Sequence, residues 1–468
     1  MGSGTRCAGL FLQSRSGAKG GIHMERLTED SVVRLVEEND VNFIRLQFTD
    51  IAGTLKNVAV TKSQLRKALE NRCVFDGSSL DGFARTEEAD MCLHPDPDTF
   101  TLLPWRPSRS GVARLICDVY SPDGVPFEGD PRLILKKQLE RARGMGYGFD
   151  VGPECEFFLF HTDDSGSPTT GTYDTAGYFD LGAIDVGGSV RREICLTLES
   201  MGLGVEASHH EVSPGQHEID LDYDNALKTA DNIMTFKLAV KSIAEASGLS
   251  ATFMPKPRPD LSGSGMHVNM SLSRDGENLF DDPADPRGNG LSETAYRFMA
   301  GLLLHARALT AVCNPTVNSY KRLISGDEAP VRIAWSCCNR SPFLRVPSPR
   351  GAGTRIELRS PDPSANPYLM LACCLAAGLD GIEKGLVPPP AVDRNVFDMT
   401  DAELRERGIG SLPLTLAEAV GELERDGVVS GVLGGHALRS FLRAKRGEWE
   451  EYSRSVTDWE IGSYLQKY

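Results

Sequence analysis

Glu154 and Glu156 stand two residues apart in the run Gly152-Pro153-Glu154-Cys155-Glu156-Phe157-Phe158-Leu159-Phe160. In an extended strand, residues i and i+2 share a face, so the two carboxylates stand side by side among aromatic residues. Like charges that close on a largely buried strand are costly unless a cation sits between them. The competing reading is a solvated edge strand carrying two surface glutamates, since charged side chains are usually exposed.

Three further segments favour the cation. In His209-His210-Glu211-Val212-Ser213-Pro214-Gly215-Gln216-His217-Glu218, the Ser-Pro-Gly-Gln sequence reads as a type II turn, with Pro at i+1 and Gly at i+2. Flanking strands would set Glu211 opposite Glu218, a repulsive pairing that again calls for a cation. Gly263-Ser264-Gly265-Met266-His267-Val268-Asn269-Met270-Ser271 is a glycine-rich loop entering a strand, with His267, Asn269 and Ser271 on one face. Alternation in Arg355-Ile356-Glu357-Leu358-Arg359 puts Arg355, Glu357 and Arg359 on one face. Carboxylates with one imidazole suit a hard cation, Mg²⁺ or Mn²⁺, and the lack of sulfur ligands argues against structural zinc. Mg²⁺ commonly brings substrate phosphates with it. Arg322, Arg340, Arg345, Arg355 and Arg359 fall in a short part of the chain. Arginines beside a metal cluster are what phosphoryl transfer requires, because its work is positioning and charge neutralisation.

The elements that must position these groups belong to a chain of 468 residues, long enough for two or three domains. A net charge of −15 argues against a nucleic-acid or anionic-membrane partner. The 11 cysteines are odd in number and form no C-x-x-C, which reads as a reduced, cytoplasmic protein. No apolar run approaches a membrane span of ~18 residues. Residues 1–23 read as a disordered extension with Met24 as the natural start. Residues 24–129 read as an N-terminal domain: a short helix, strands at 41–48 and 113–119, and between them the turn-rich loop Phe75-Asp76-Gly77-Ser78-Ser79. A second domain spans 130–468, opening with Asp130 as N-cap and Pro131 at N1 of a helix that ends near Gly144. Ile233, Phe236, Val240 and Ile243 mark a long amphipathic helix ending at Gly248. Hairpins between the metal-bearing strands predict an antiparallel or mixed sheet. After Pro388-Pro389-Pro390 the chain reads as helical to its end.

Together these segments resemble type I glutamine synthetase from about Leu27 to Tyr468, with the further motifs Asn318-Ser319-Tyr320-Lys321-Arg322-Leu323 and Asn339-Arg340-Ser341. The resemblance implies an α+β protein, with an N-terminal β-grasp domain and a catalytic domain built on a curved antiparallel sheet flanked by helices. It implies a dodecamer of two hexameric rings, with active sites shared between subunits. Residues matching Glu156, Glu211 and Glu218 would hold one divalent ion; those matching Glu154, His267 and Glu357 a second, with two or three ions per site. Ser262, Gly263, Arg322 and Arg359 match the L-glutamate site. Glu206, Asn269, Ser271, Arg340, Arg345 and Arg355 match contacts to ATP, the co-substrate. Asp76, from a neighbouring subunit, matches the ammonium site, and Glu328 the flap residue that closes over the intermediate. His209, His210 and His217 read as structural, and Arg85 matches a position linked to glutamine feedback.

The expected chemistry follows from the substrates. A carboxylate is a poor acyl donor, so ATP first converts the glutamate γ-carboxylate to an acyl phosphate. Ammonium is no nucleophile until an anionic group such as Asp76 takes its proton. The acyl phosphate must be kept from water, and Gly326-Asp327-Glu328-Ala329-Pro330 has the composition of such a lid. Two departures touch the amine: Ser262 stands where the family usually has Asn, and Asp327 where it has an aromatic residue. They keep a γ-glutamyl–amine ligase in view as the rival, beside a non-catalytic nitrogen-sensing member. Phe397, in Asn395-Val396-Phe397-Asp398-Met399-Thr400, replaces the tyrosine that one subclass adenylylates, so control would fall to glutamine feedback or partner proteins.

Overall fold

The computed structural model describes residues 26–78, 80, 90–105, 111–324 and 329–468. The reading of residues 1–23, together with Arg85, Asp327 and Glu328, lies outside the described residues.

Five strands make the first sheet: β1 (Val41–Thr49), β2 (Leu55–Thr61), β3 (Cys73–Asp76), β4 (Asp90–Leu102) and β5 (Gly111–Tyr120), in the order β2-β1-β5-β4-β3. The central β1–β5 pair is parallel and the others antiparallel, the β-grasp arrangement. Val32 and Val36 of the helix Glu29–Glu38 pack on this sheet with Ile44, Leu46, Leu93 and Leu115. Phe75 and Asp76 belong to β3 rather than to a loop, because Cys73–Asp76 finds a partner strand in β4.

The second sheet holds β6 (Gly148–His161), β7 (Val205–His210), β8 (Gln216–Leu221), β9 (Asp224–Asn225), β10 (Leu249–Thr252), β11 (Met266–Arg274), β12 (Glu277–Asn278), β13 (Arg332–Ser336), β14 (Pro342–Arg345), β15 (Ile356–Leu358) and β16 (Gly410–Ser411). Its main path runs β16-β13-β14-β15-β11-β6-β8-β7. The pairings are antiparallel except β13 with β14, so of the antiparallel or mixed sheet expected from the hairpins the structure has the mixed one. β16 also interrupts the helical C-terminal region expected after Pro390.

Strand alternation divides this sheet into two faces. Cys155, Phe157 and Leu159 of β6, Ile219 and Leu221 of β8, Val268 and Met270 of β11, and Ile356 and Leu358 of β15 enter one core. The helices Pro131–Gly144, Ala226–Ala246, Glu293–Leu304 and Pro367–Glu383 contribute to the same core. The last two pack closely where glycines meet: a Cβ at Gly301 would lie 2.0 Å from the Ala377 carbonyl oxygen.

A buried charge network joins the first sheet to the helices of the second domain. Arg132 donates to Asp118 (2.7 Å) and Asp96 (2.8 Å) of the first sheet and to both carboxylate oxygens of Asp231 (3.0 and 2.9 Å) in the second domain. The Tyr368 hydroxyl donates to Asp231 at 2.7 Å. Asn366 Nδ2 donates to the Asp50 carbonyl at 3.0 Å. Gly53, at φ +83, lets that turn sit against Asn366, whose Cα lies 3.0 Å from where a Cβ would stand.

Candidate active site

The second sheet's other face carries the polar partners of the core residues. Across β6 and β8, Glu156 pairs with Glu218 and Glu154 with Asp220; β11 sets His267 beside Glu154; β15 sets Glu357 beside Asn269. Chain alternation thus sends apolar side chains into the core and acids, His267 and Asn269 to the opposite face.

The β7–β8 hairpin departs from expectation in register. Gln216 N–H donates to Ser213 O at 2.9 Å and Gly215 sits at φ +71, as a type II turn requires. Glu211, however, pairs through its N–H with the Gln216 carbonyl, and Glu218 lies opposite His209. Glu211 and Glu218 are therefore diagonal rather than directly opposite. They still converge: possible ligand atoms of His209, Glu211 and Glu218 lie within 4.8 Å of one another. The same holds for Glu156, Glu218 and His267, and for Glu154, His267 and Glu357. Shared members make these groups one continuous array containing all the proposed metal ligands.

The electrostatics of the array call for a cation. Burial, then the neighbouring Glu156 charge, pushes the Glu218 carboxyl far up. Burial and then Glu154 raise Asp220 to about 7. Burial also opposes the charge on Glu154, but bonds from His267 (3.1 Å) and Asn269 (2.9 Å) outweigh it and hold its carboxyl down at about 2. Burial and then Arg359 lower the His267 pKa, which favours the neutral form in which imidazole offers a lone pair to a metal. Oxygen donors with one or two imidazoles fit a hard divalent ion.

Two cavities flank the array. One, of about 390 Å³, is lined by Glu156, Glu211, Ser262, Gly263, Arg322 and Arg359 among others. Arg322 is threaded between Gly263, Gly265 and the segment that follows β15, donating to Ser360 O (2.7 Å), Pro361 O (3.2 Å) and Arg359 O (3.4 Å). The Ser262 N–H donates to Ser213 Oγ at 2.7 Å. The second cavity, about 230 Å³, is lined by Glu154, Glu206, Tyr223, Asn269 and Arg355 among others. Arg355 donates to Asn269 Oδ1 at 3.0 Å, and Tyr223 to Ser271 Oγ at 2.8 Å.

Arg355 and Arg359, expected on one face with Glu357, serve different cavities because β15 ends on both sides of Glu357. Arg345 donates to Glu357 at 2.7 Å, and Arg359 bonds the other oxygen of that carboxylate. The Arg340 side chain bonds Tyr178. Asp76 lines neither cavity; bonds from Ser78 lower its carboxyl. Sequence reasoning missed His209 as a member of the array and Gln216, whose Nε2 donates to Glu156 Oε2 and to Gly263 O, each at 3.1 Å. Gln216 was detectable in principle as the last residue of the recognised turn.

Comparison with known families places the chain as a whole. Residues 40–122 match the family model for the glutamine synthetase beta-Grasp domain, and residues 128–464 that for the glutamine synthetase catalytic domain. The chain belongs to the glutamine synthetase family. A glutamine synthetase of Clostridium saccharobutylicum is 58% identical over 95% of this chain and 100% of its own length. One from Staphylococcus aureus is 53% identical over 94% of this chain and 99% of its own. Among solved structures, a GmaS/ADP complex superposes with a TM-score of 0.85 at 39% identity, covering 93% of this chain and 99% of its own. A Plasmodium falciparum glutamine synthetase does so with a TM-score of 0.83 at 26% identity, covering 93% and 98%.

Proposed function

We infer that the chain ligates ammonia to the γ-carboxylate of L-glutamate at the expense of ATP, through γ-glutamyl phosphate, giving L-glutamine, ADP and phosphate. The observation that carries this reading is the acid array standing between an arginine-lined cavity on one side and a cleft lined by Glu206, Asn269 and Arg355 on the other. A carboxylate in the first and a nucleotide in the second would meet across the array.

Glu156, Glu211 and Glu218 would hold one divalent ion, and Glu154, His267 and Glu357 the other, each Mg²⁺ or Mn²⁺. When bound, such ions neutralise charge on the transferring phosphoryl group. Arg322 and Arg359, with Ser262 and Gly263, would hold glutamate; charged guanidinium at the cavity wall suits its carboxylates. Glu206, Asn269, Ser271, Arg345 and Arg355 would hold the nucleotide, with Arg340 facing the reacting phosphate. Asp76 would bind ammonium and accept its proton, and Glu328 would close over the intermediate. The place of Asp76 on the grasp sheet, away from both cavities, supports its donation to a neighbouring subunit and hence a dodecamer of two hexameric rings. Exposed Trp459, Leu465 and Tyr468 supply apolar surface that assembly would bury. In this reading residues 24–129 are the grasp domain and 130–468 the catalytic domain, and the enzyme works in the cytoplasm. The described cysteines are all free, and no described helix is long and apolar enough to cross a membrane, in keeping with that compartment.

The test is phosphate release with glutamate and ATP across a panel of ammonium and primary amines. Ammonium-dependent release matched by glutamine is the expected result. Release with an organic amine and none with ammonium would establish the γ-glutamyl–amine ligase instead.

A further inference from the structure

The residues next to the hairpin ligands point away from the array, and what receives them is a built polar network. His210 precedes Glu211 and His217 precedes Glu218; both imidazoles are fully buried. His210 Nδ1–H donates to the Glu211 carbonyl at 2.7 Å, and its Nε2 meets Asp174 Oδ2 at 3.2 Å. The other Asp174 oxygen accepts the Gly215 N–H at 2.7 Å, at the tip of the same hairpin. His217 Nδ1 accepts from Arg191 at 2.8 Å, so its proton lies on Nε2, which faces the Tyr173 hydroxyl at 2.5 Å. Tyr173 in turn bonds Asp174, closing the chain. Arg191 is held by Asp185 at 2.7 Å. Gly187 makes room for this meeting: a Cβ there would lie 1.7 Å from the Tyr173 hydroxyl and 2.8 Å from His217 Nε2.

Asp174, His210 and His217 are close enough to be mistaken for a further metal centre. The guanidinium on His217 argues otherwise. It uses the nitrogen lone pair a cation would need and brings a positive charge to the spot.

We propose that Asp174, Tyr173 and Arg191 form a clasp that grips the hairpin from behind through His210, Gly215 and His217, fixing the separation of Glu211 and Glu218 and so the affinity of the cation those two carboxylates hold. The clasp rests on the ligand assignment above. Asp174 is its central positioning residue, because it bonds one arm and the tip together. The second ion's residues, Glu154, His267 and Glu357, lie on β6, β11 and β15, outside its grip. Outer partners of this kind commonly set metal affinity by about tenfold to a hundredfold.

The experiment is direct Mn²⁺ binding to the assembled, nucleotide-free enzyme, followed by the paramagnetic resonance of free Mn²⁺, for the wild type, Asp174→Asn and Tyr173→Phe. Asn at 174 keeps the size but turns an N–H toward His210 Nε2; Phe at 173 removes one hydroxyl and no charge, and serves if Asp174→Asn does not assemble. The expected result is two classes of ions in the wild type, with one class weakened about tenfold to a hundredfold in Asp174→Asn, weakened in the same direction in Tyr173→Phe, and the other within twofold. Wild-type affinity for both classes in both variants, or equal weakening of both classes, would overturn the clasp while leaving the ligands assigned. Absence of Mn²⁺ binding to the wild type would overturn the ligand assignment and the clasp with it.

Discussion

Glu357 is where two arginines of the site meet one carboxylate. It is only 1% exposed, bonds Arg345 and Arg359, and lies 3.8 Å from His267 Nδ1. Glu357→Gln removes a charge with little change of shape. Activity should fall by about a hundredfold or more as one cation is lost. The metal-free protein should also lose about 3 kcal/mol, because two arginines are left facing each other without their shared anion. Steady-state assays at saturating Mg²⁺ and denaturant melts in chelator check the two halves; near-normal turnover would remove Glu357 from the ligand set. At this scale the sequence was informative because ligand chemistry is local: Glu154 and Glu156 declare their shared face by spacing alone. It said less about His209 and Gln216, whose roles depend on which residues lie across a turn. A two-residue difference in register decides that, and because it leaves every side chain on the same face, no side-chain period encodes it.

Among elements, the glycine loop before β11 is where close approach decides function. A Cβ at Gly265 would stand 2.5 Å from Arg322 Nη2. The guanidinium cannot simply retreat, since three backbone carbonyls already hold it. Gly265→Ala should therefore raise the KM for glutamate about tenfold, roughly 1.4 kcal/mol, with the KM for ATP unchanged. Equal effects on both substrates would mean that the loop supports the sheet generally. Helices were the most legible elements. The Asp130 cap with Pro131 at N1, and the stop near Gly144, lie in the structure where the sequence puts them. The helix carrying Ile233 and Val240 runs Ala226–Ala246, with Gly248 just beyond it at φ +74. The β13–β14 parallel pairing was not legible, because strand direction is settled by packing between distant segments rather than by either strand's own residues.

For the molecule as a whole, buried charge joins parts that are far apart in sequence. His305 donates to Asp426 at 2.6 Å and to Asp380 at 3.0 Å, tying three helical segments. Burial opposes its positive form, but the two carboxylates outweigh burial and raise its pKa above 6.5. A raised folded pKa stabilises fully below the unfolded value and is lost as pH rises through the folded one. His305→Gln should thus cost about 2 kcal/mol near pH 5.5 and progressively less as pH rises past the folded pKa. Denaturant melts of both proteins across that range check it, and a pH-independent difference would show that the imidazolium is not the stabilising form.

The joint between the grasp sheet and the helices of the second domain has a consequence for how the protein is made. Asn366 meets the Asp50 carbonyl across 316 residues of chain, and Asp231 meets Arg132 across 99. The strands of the grasp sheet have all been synthesised by Tyr120, yet the groups that seat it leave the ribosome much later. During that interval the nascent domain carries an unseated turn at Asp50 and a guanidinium awaiting Asp231. Long-range closure of this kind is slow, and the turn at Asp50 cannot be seated before Asn366 and the helix that begins at Pro367 have been made.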